Sequence, residues 1–201
     1  MGGAGIPEWL IREDAGRPVL LALYVRQALG IRHPDELPHL RGIPPRANNR
    51  STAAQDVLEQ QWRMLWEMTV EPEAHASSVP LELVDGYETL VALPSQGADE
   101  LREAMTPFAA EALAYSQSAH ARYRRDVGNG VSYRAYASAI AEYERQVGRR
   151  AHSFELNVQV LPLSQRGVWW IGALTIAVTD GLRGDVVAFD AAINPIIAEL
   201  A

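Results

Sequence analysis

The sequence predicts an α+β domain in which a small, mostly antiparallel sheet of about four strands packs with about five helices. Two observations support this class. β-prone residues flank Asp85-Gly86, which is typical of a hairpin, and two further apolar strands follow each other in the C-terminal third. Because short loops join the strands of each pair, we expect antiparallel pairing. A doubly wound nucleotide fold alternates strands with helices, and that pattern is not seen.

The first fifty residues predict one helix and a proline-rich loop. Pro18 suits the first turn of a helix, the apolar run 19–25 surrounds that helix completely, and Gly30 ends it. The Pro- and Asn-rich segment 42–50 is interpreted as a loop, since about forty preceding residues are too few for a core of their own. Residues 1–201 are therefore predicted to form one domain with its main body at 51–201.

The middle of the chain predicts helices on either side of a hairpin. Ser51 or Thr52 caps a helix that Pro72 closes. The hairpin covers 81–93, and a helical pattern over 98–127 is interrupted at Thr106-Pro107. Ser132 caps a further helix, which Gly148 ends.

The C-terminal third predicts a hairpin followed by a final helix. Segment 154–161 alternates apolar and polar residues, as a strand with one wet face does. Segment 168–178 is apolar on both faces, so we expect a central strand that pairs antiparallel with the first. Asp185 begins the closing helix, and Pro195 predicts a bend in it.

Composition excludes several classes of chemistry. The chain has no Cys, which removes cysteine nucleophiles, thiolate metal sites and disulfides. All 18 basic residues are Arg, so Schiff-base and phosphate-loop lysines are absent as well. Arginine in place of every lysine is typical of a GC-rich bacterial genome. A net charge of −7 disfavours binding to nucleic acid.

The sequence predicts a cytoplasmic protein without a membrane segment. Its N-terminus has neither the basic start nor the apolar core of a signal peptide. The longest apolar run, 168–178, is far shorter than the ~20 residues of a membrane helix.

Two short segments combine histidine with carboxylates and could bind zinc or manganese. These residues are His33, Asp35, Glu36 and His39 in the first segment, and Glu71, Glu73 and His75 in the second. Neither segment has the spacing of a helical zinc site, and each contains proline, so we interpret both as solvated acidic loops. No metal and no cofactor is predicted. No Gly-x-Ser-x-Gly motif of a serine hydrolase occurs.

The most suggestive constellation is basic and aromatic. Between Tyr115 and His152 lie seven arginines against three acidic residues, together with five tyrosines. Arginine forks and aromatic faces can hold an anion. The candidate binding residues are Arg122, Arg124, Arg125 and Arg134. The alternative is that the tyrosines are core residues and the arginines pair with acidic neighbours or favour helix C-termini.

A second candidate surface is a helical stripe with two tryptophans. Leu58, Trp62, Leu65 and Trp66 share one face of the second helix. A small sheet receives few helices, so we expect this stripe to be partly bare and to pair with a second copy. Trp62 and Trp66 are the predicted binding residues there.

Three functions remain open from the sequence. The leading hypothesis is a non-enzymatic binding or assembly module that forms a homo-oligomer, with an anionic small molecule or a protein as a further partner. The alternative is a small hydrolase or metal-dependent enzyme that uses His and carboxylates. The third is an anion or nucleotide binder that uses the Arg–Tyr helices.

Overall fold

The structure, a computed structural model, describes residues 9–44, 50–127 and 132–201. It confirms the α+β class. In chain order the elements are β1 (Trp9–Asp14), α1 (Arg17–Ala28), α2 (Thr52–Val70), β2 (Leu81–Leu83), β3 (Ala92–Pro94), α3 (Asp99–Met105), a 3₁₀ turn (Thr106–Phe108), α4 (Ala109–Val127), α5 (Ser132–Val147), β4 (Phe154–Leu161), β5 (Val168–Gly172), β6 (Thr175–Thr179), α6 (Asp180–Arg183) and α7 (Val186–Leu200).

The main sheet has four strands in the order β1-β4-β6-β5. Strand β4 runs parallel to both β1 and β6, and only β5 and β6 pair antiparallel. The expectation of a mostly antiparallel sheet is therefore corrected to a mixed one. Segment 168–178 turns back on itself at residues 173–174 and forms the two strands β5 and β6. The chain reverses direction between β4 and β5 and again between β5 and β6, so β6 runs parallel to β4, beside which it lies. The expected antiparallel pairing of 154–161 with segment 168–178 is therefore wrong.

Strand β1 was not predicted. Its residues alternate between half-buried and exposed, but the alternation does not follow polarity. Glu13 points inward and Leu10 is 42% exposed. Hydrophobic periodicity therefore could not reveal this edge strand, which pairs with β4 from Trp9–Phe154 to Asp14–Gln159.

Several predicted boundaries are confirmed by their local chemistry. Ser51 caps α2 by accepting a hydrogen bond from the Ala54 N–H, and Asp185 caps α7 through the Ala188 N–H. Gly148, at φ +68°, follows the end of α5 in the left-handed region that glycine tolerates best. The 3₁₀ turn at Pro107 separates α3 from α4.

The hairpin at 81–93 is confirmed as a separate two-stranded sheet of β2 and β3, and the predicted closing helix is present as α7. Residues 84–91 connect β2 and β3, with Asp85-Gly86 inside that connection.

Two hydrophobic clusters cover the two faces of the main sheet. Helices α1 to α4 pack on one face, against residues such as Ile171 and Ala177. Helices α5 and α7 pack on the other, against Val158 and Ile176. Trp169 joins the first cluster and Trp170 the second, as their succession along a strand predicts. Within the described ranges, every helix is too short or too polar to cross a bilayer.

Candidate functional site

The parallel strands β1, β4 and β6 end at one edge of the sheet, at Asp14, Leu161 and Thr179. In open α/β sheets, ligands bind outside the carboxyl ends of the strands. A cavity of about 280 Å³ lies at this edge. Its polar lining consists of Glu13 from β1, Arg122, Tyr123 and Asp126 from α4, and Asp180 and Arg183 from α6. We call this cavity the edge crevice.

Glu13 is the most constrained group of the edge crevice. Arg183 Nε donates to Glu13 Oε2 at 2.8 Å, and the Tyr136 hydroxyl donates to the same oxygen at 2.7 Å. The Tyr123 hydroxyl lies 3.5 Å from Oε1. The Arg183 and Glu13 side chains are only 12% and 11% exposed, so solvent screens this ion pair little.

Burial, and next to it the charge of Glu13, raises the pKa of both Tyr123 and Tyr136 well above the usual range. Both phenols therefore stay protonated and remain donors to the carboxylate. The Glu13 carboxylate is thus paired with one arginine and two phenols.

Arg183 is fixed from two sides. Its Nε binds Glu13, and its guanidinium carbon lies 5.0 Å from the centre of the Phe189 ring. Neither Nη atom donates a hydrogen bond to any residue in the described part of the chain. A guanidinium held at Nε with its Nη atoms unused is a positioned donor for an anion.

Asp180 is also neutralised. Arg41 donates to its two carboxylate oxygens at 3.3 and 2.6 Å, and this hydrogen bonding holds the pKa of Arg41 above its usual value. Tyr115 donates to the Arg41 carbonyl at 2.8 Å and so ties this loop to α4. The loop that follows α1 is thereby tied both to α4 and to Asp180, which lines the edge crevice.

Arg122 is the second cation that lines the edge crevice. It is exposed, and it makes no hydrogen bond or ion pair with any described residue. Asp126, one turn further along α4, lines the crevice as well but forms no ion pair with Arg122. Since Arg183 and Arg41 neutralise Glu13 and Asp180, Arg122 and Asp126 are the two charges left for a ligand.

The structure separates the four predicted arginines. Arg122 lines the edge crevice, and Arg134 lines an adjoining cavity that shares Arg183. Arg124 and Arg125 are exposed, and neither lines these two cavities. Two of the four candidates are therefore placed where one ligand could meet them.

The tryptophan stripe of α2 is core, so the exposed stripe expected from the sequence is wrong. Trp62 and Trp66 are 0% and 5% exposed. The indole N–H of Trp62 donates to the Ala22 carbonyl at 2.8 Å, and the two rings stack at 5.5 Å. Four helices cover this face of the sheet, more than the sequence led us to expect. The homo-oligomer stays a prediction, but its surface does not include these indoles.

In the two histidine–carboxylate segments, the described side chains do not gather into a group of three or more candidate ligands. Among the described residues, no group of three or more His, Asp or Glu side chains converges as metal ligands do. The first segment wraps Arg26, which is 1% exposed and donates to the carbonyls of Arg32, Pro34 and Leu37.

In the second segment His75 Nε2 lies 3.2 Å from a Glu71 oxygen, and Glu71 accepts a hydrogen bond from the Ala173 N–H at the β5–β6 turn. Glu71 therefore braces the β5–β6 turn.

Sequence reasoning missed Glu13, Asp180 and Arg183. Glu13 lies on the strand that was not predicted, and Asp180 and Arg183 lie in the short helix α6, which was not predicted either. One signal was available: each of these acidic residues lies at or beside the end of an apolar run, where a parallel strand would present it at the sheet edge.

Comparison of the chain with protein-family models, with curated proteins and with solved structures finds no match.

Proposed function

We propose that this protein binds a small organic anion, a phosphate or a carboxylate, in the edge crevice. One observation carries the proposal: Arg122 and the Nη atoms of Arg183 line the same cavity without a partner in the described part of the chain, while the acids Glu13 and Asp180 are already paired. Unpaired guanidinium donors beside neutralised acids favour an anion.

The remaining lining supports a ligand with an apolar or neutral body. Ala119, Val127, Val160 and Pro162 contribute apolar surface. Pockets that bind small molecules combine such walls with a few placed polar groups. At about 280 Å³ the cavity is small, which favours a small metabolite over a dinucleotide.

This proposal develops the anion-binder hypothesis and places it at the sheet edge. The metal-dependent hydrolase has no comparable support, since the described histidines and carboxylates do not converge. The assembly hypothesis is no longer supported by an exposed tryptophan stripe, because Trp62 and Trp66 are buried.

The test is calorimetric titration with a panel of small organic phosphates and dicarboxylates, among them glycerol 3-phosphate and succinate. We expect at least one to bind, and Arg122→Gln to weaken it roughly tenfold or more, because a charge-assisted hydrogen bond is lost.

The matched control is Arg124→Gln, which removes the same charge from the same helix outside the crevice. Equal losses in both variants would show that only the overall charge matters. Absence of binding across the panel would also refute the proposal.

A further inference from the structure

A second cavity, of about 320 Å³, adjoins the edge crevice and shares Arg183 as a wall. Helix α5 contributes Arg134 and Ser138 to it, and α7 contributes Phe189 and Asp190. We call it the helix cavity. A ligand that contacts Arg183 in the edge crevice therefore lies beside the helix cavity.

Asp190 contributes a buried acceptor to this cavity that has no partner among the described residues. Its Oδ1 atom is buried and accepts no hydrogen bond within the described part of the protein. Asp190 also forms no ion pair there, although Arg134 and Arg183 line the same cavity. Buried polar atoms of native proteins nearly always have a partner. Since no described residue supplies a donor and Asp190 lines the helix cavity, a ligand in this cavity can supply one to the carboxylate.

The charges of the helix cavity decide the kind of donor. An ammonium group would suit Asp190 alone, but the guanidinium groups of Arg134 and Arg183 would repel it. A hydroxyl group carries no charge, and it both donates and accepts hydrogen bonds. Adjacent hydroxyls can thus donate to Asp190 and accept from arginine, with Ser138 as a further partner.

We infer that the ligand is a phosphorylated or carboxylated polyol. Its anionic group contacts Arg122 and Arg183 in the edge crevice, and its hydroxyl groups reach Asp190 in the helix cavity. This inference rests on the proposed function and adds the chemical class of the ligand.

The experiment compares probes that share one anionic group and one carbon number. Ribose 5-phosphate, pentyl phosphate and 5-aminopentyl phosphate carry hydroxyls, no distal polar group and an ammonium, respectively. Ribonate and pentanoate repeat the comparison with a carboxylate, and so separate phosphate from carboxylate recognition. For whichever anionic group binds, we expect the polyol probe to bind roughly ten to a hundred times more tightly than the alkyl probe with the same group.

Asp190→Asn should remove most of that advantage, measured in each variant as the ratio of the polyol affinity to the alkyl affinity. The matched control is Glu199→Gln, an exposed acid on the same helix, which should keep the advantage. Thermal unfolding of each variant verifies that it folds.

The outcomes separate the two proposals. Equal affinities of polyol and alkyl probes would overturn the inference and leave anion binding standing. If the aminopentyl probe bound most tightly, the inference of a polyol would be wrong, and the helix cavity would instead receive a cationic group. Failure of every probe to bind would remove the proposed function and this inference together.

Discussion

The aromatic residues of α2 and those of α4 and α5 follow the same helical spacing, yet they have different surroundings. On α2, the polar atom of Trp62 finds a backbone carbonyl, that of Ala22, inside the core. On α4 and α5, the hydroxyls of Tyr123 and Tyr136 find the Glu13 carboxylate at the edge of the sheet. A backbone carbonyl merely satisfies a buried donor, whereas a carboxylate held by phenols and an arginine forms a charged wall. The partner of the polar atom, rather than the spacing, distinguishes core from site.

Helix α4 joins the two environments within one element. Its buried residues, from Ala109 to Ala119, pack into the first core. Its last two turns carry Arg122, Tyr123 and Asp126 along the edge crevice. The buried first half of α4 therefore positions the second half, which lines the crevice, and this is the arrangement that a preformed site requires.

Trp62→Ala is expected to have the largest effect, because it empties the centre of the first core. We expect the free energy of unfolding to fall by about 3–5 kcal/mol, as large-to-small core substitutions do. Urea unfolding measures it. Arg63→Ala, an exposed neighbour on the same helix, should change stability by less than about 0.5 kcal/mol. A Trp62 variant as stable as the Arg63 variant would contradict the burial of this indole.

Most elements could be predicted because neighbouring residues determine them, whereas the pairing of distant strands could not be predicted. Caps at Ser51 and Asp185, the glycine at 148 and the proline at 107 fix helix ends through neighbouring residues, so the sequence contains them. The direction of β4 and β6 depends on one turn at residues 173–174, in an apolar run where no Gly-Asn or Asp-Gly signal marks it.

For the same reason, only part of the candidate site could be predicted from the sequence. Arg122 and Arg134 stood out by composition on helices that periodicity identified. Glu13 and Arg183 are 170 positions apart, and only the parallel pairing of β1 and β4 and that of β4 and β6 bring them together. No local pattern encodes such a contact.

The alkaline limit of stability should be set by buried tyrosines in both environments. Burial raises the pKa of Tyr115 to about 12 and raises those of Tyr87 and Tyr136 beyond the usual range. Unfolded tyrosines ionise near pH ~10, so the unfolded chain loses these protons first. Stability is therefore complete below about pH 10 and falls above it, by about 1.4 kcal/mol per pH unit for each such tyrosine.

Urea unfolding at about pH 9, 10 and 11 measures this slope. Tyr87→Phe in the first core and Tyr136→Phe at the edge should each reduce the slope by one tyrosine's share. A slope that neither variant changes would show that other groups cause the alkaline loss.

The two phenols at Glu13 are expected to differ in their contribution to stability. Tyr136 donates at 2.7 Å, whereas Tyr123 lies at 3.5 Å, the outer limit of a hydrogen bond. Tyr136→Phe should therefore lower the free energy of unfolding by about 1.5–3 kcal/mol, the range for a hydrogen bond to a charged group, and most of that loss should be absent in Tyr123→Phe. Urea unfolding near neutral pH compares the two, with neither aromatic ring removed. The loss in the double variant should exceed the sum of the two single losses, because Glu13 then keeps Arg183 as its only partner among the described side chains. Equal losses from the two single variants would contradict this difference. They would show that Tyr136 on α5 and Tyr123 on α4 stabilise Glu13 equally.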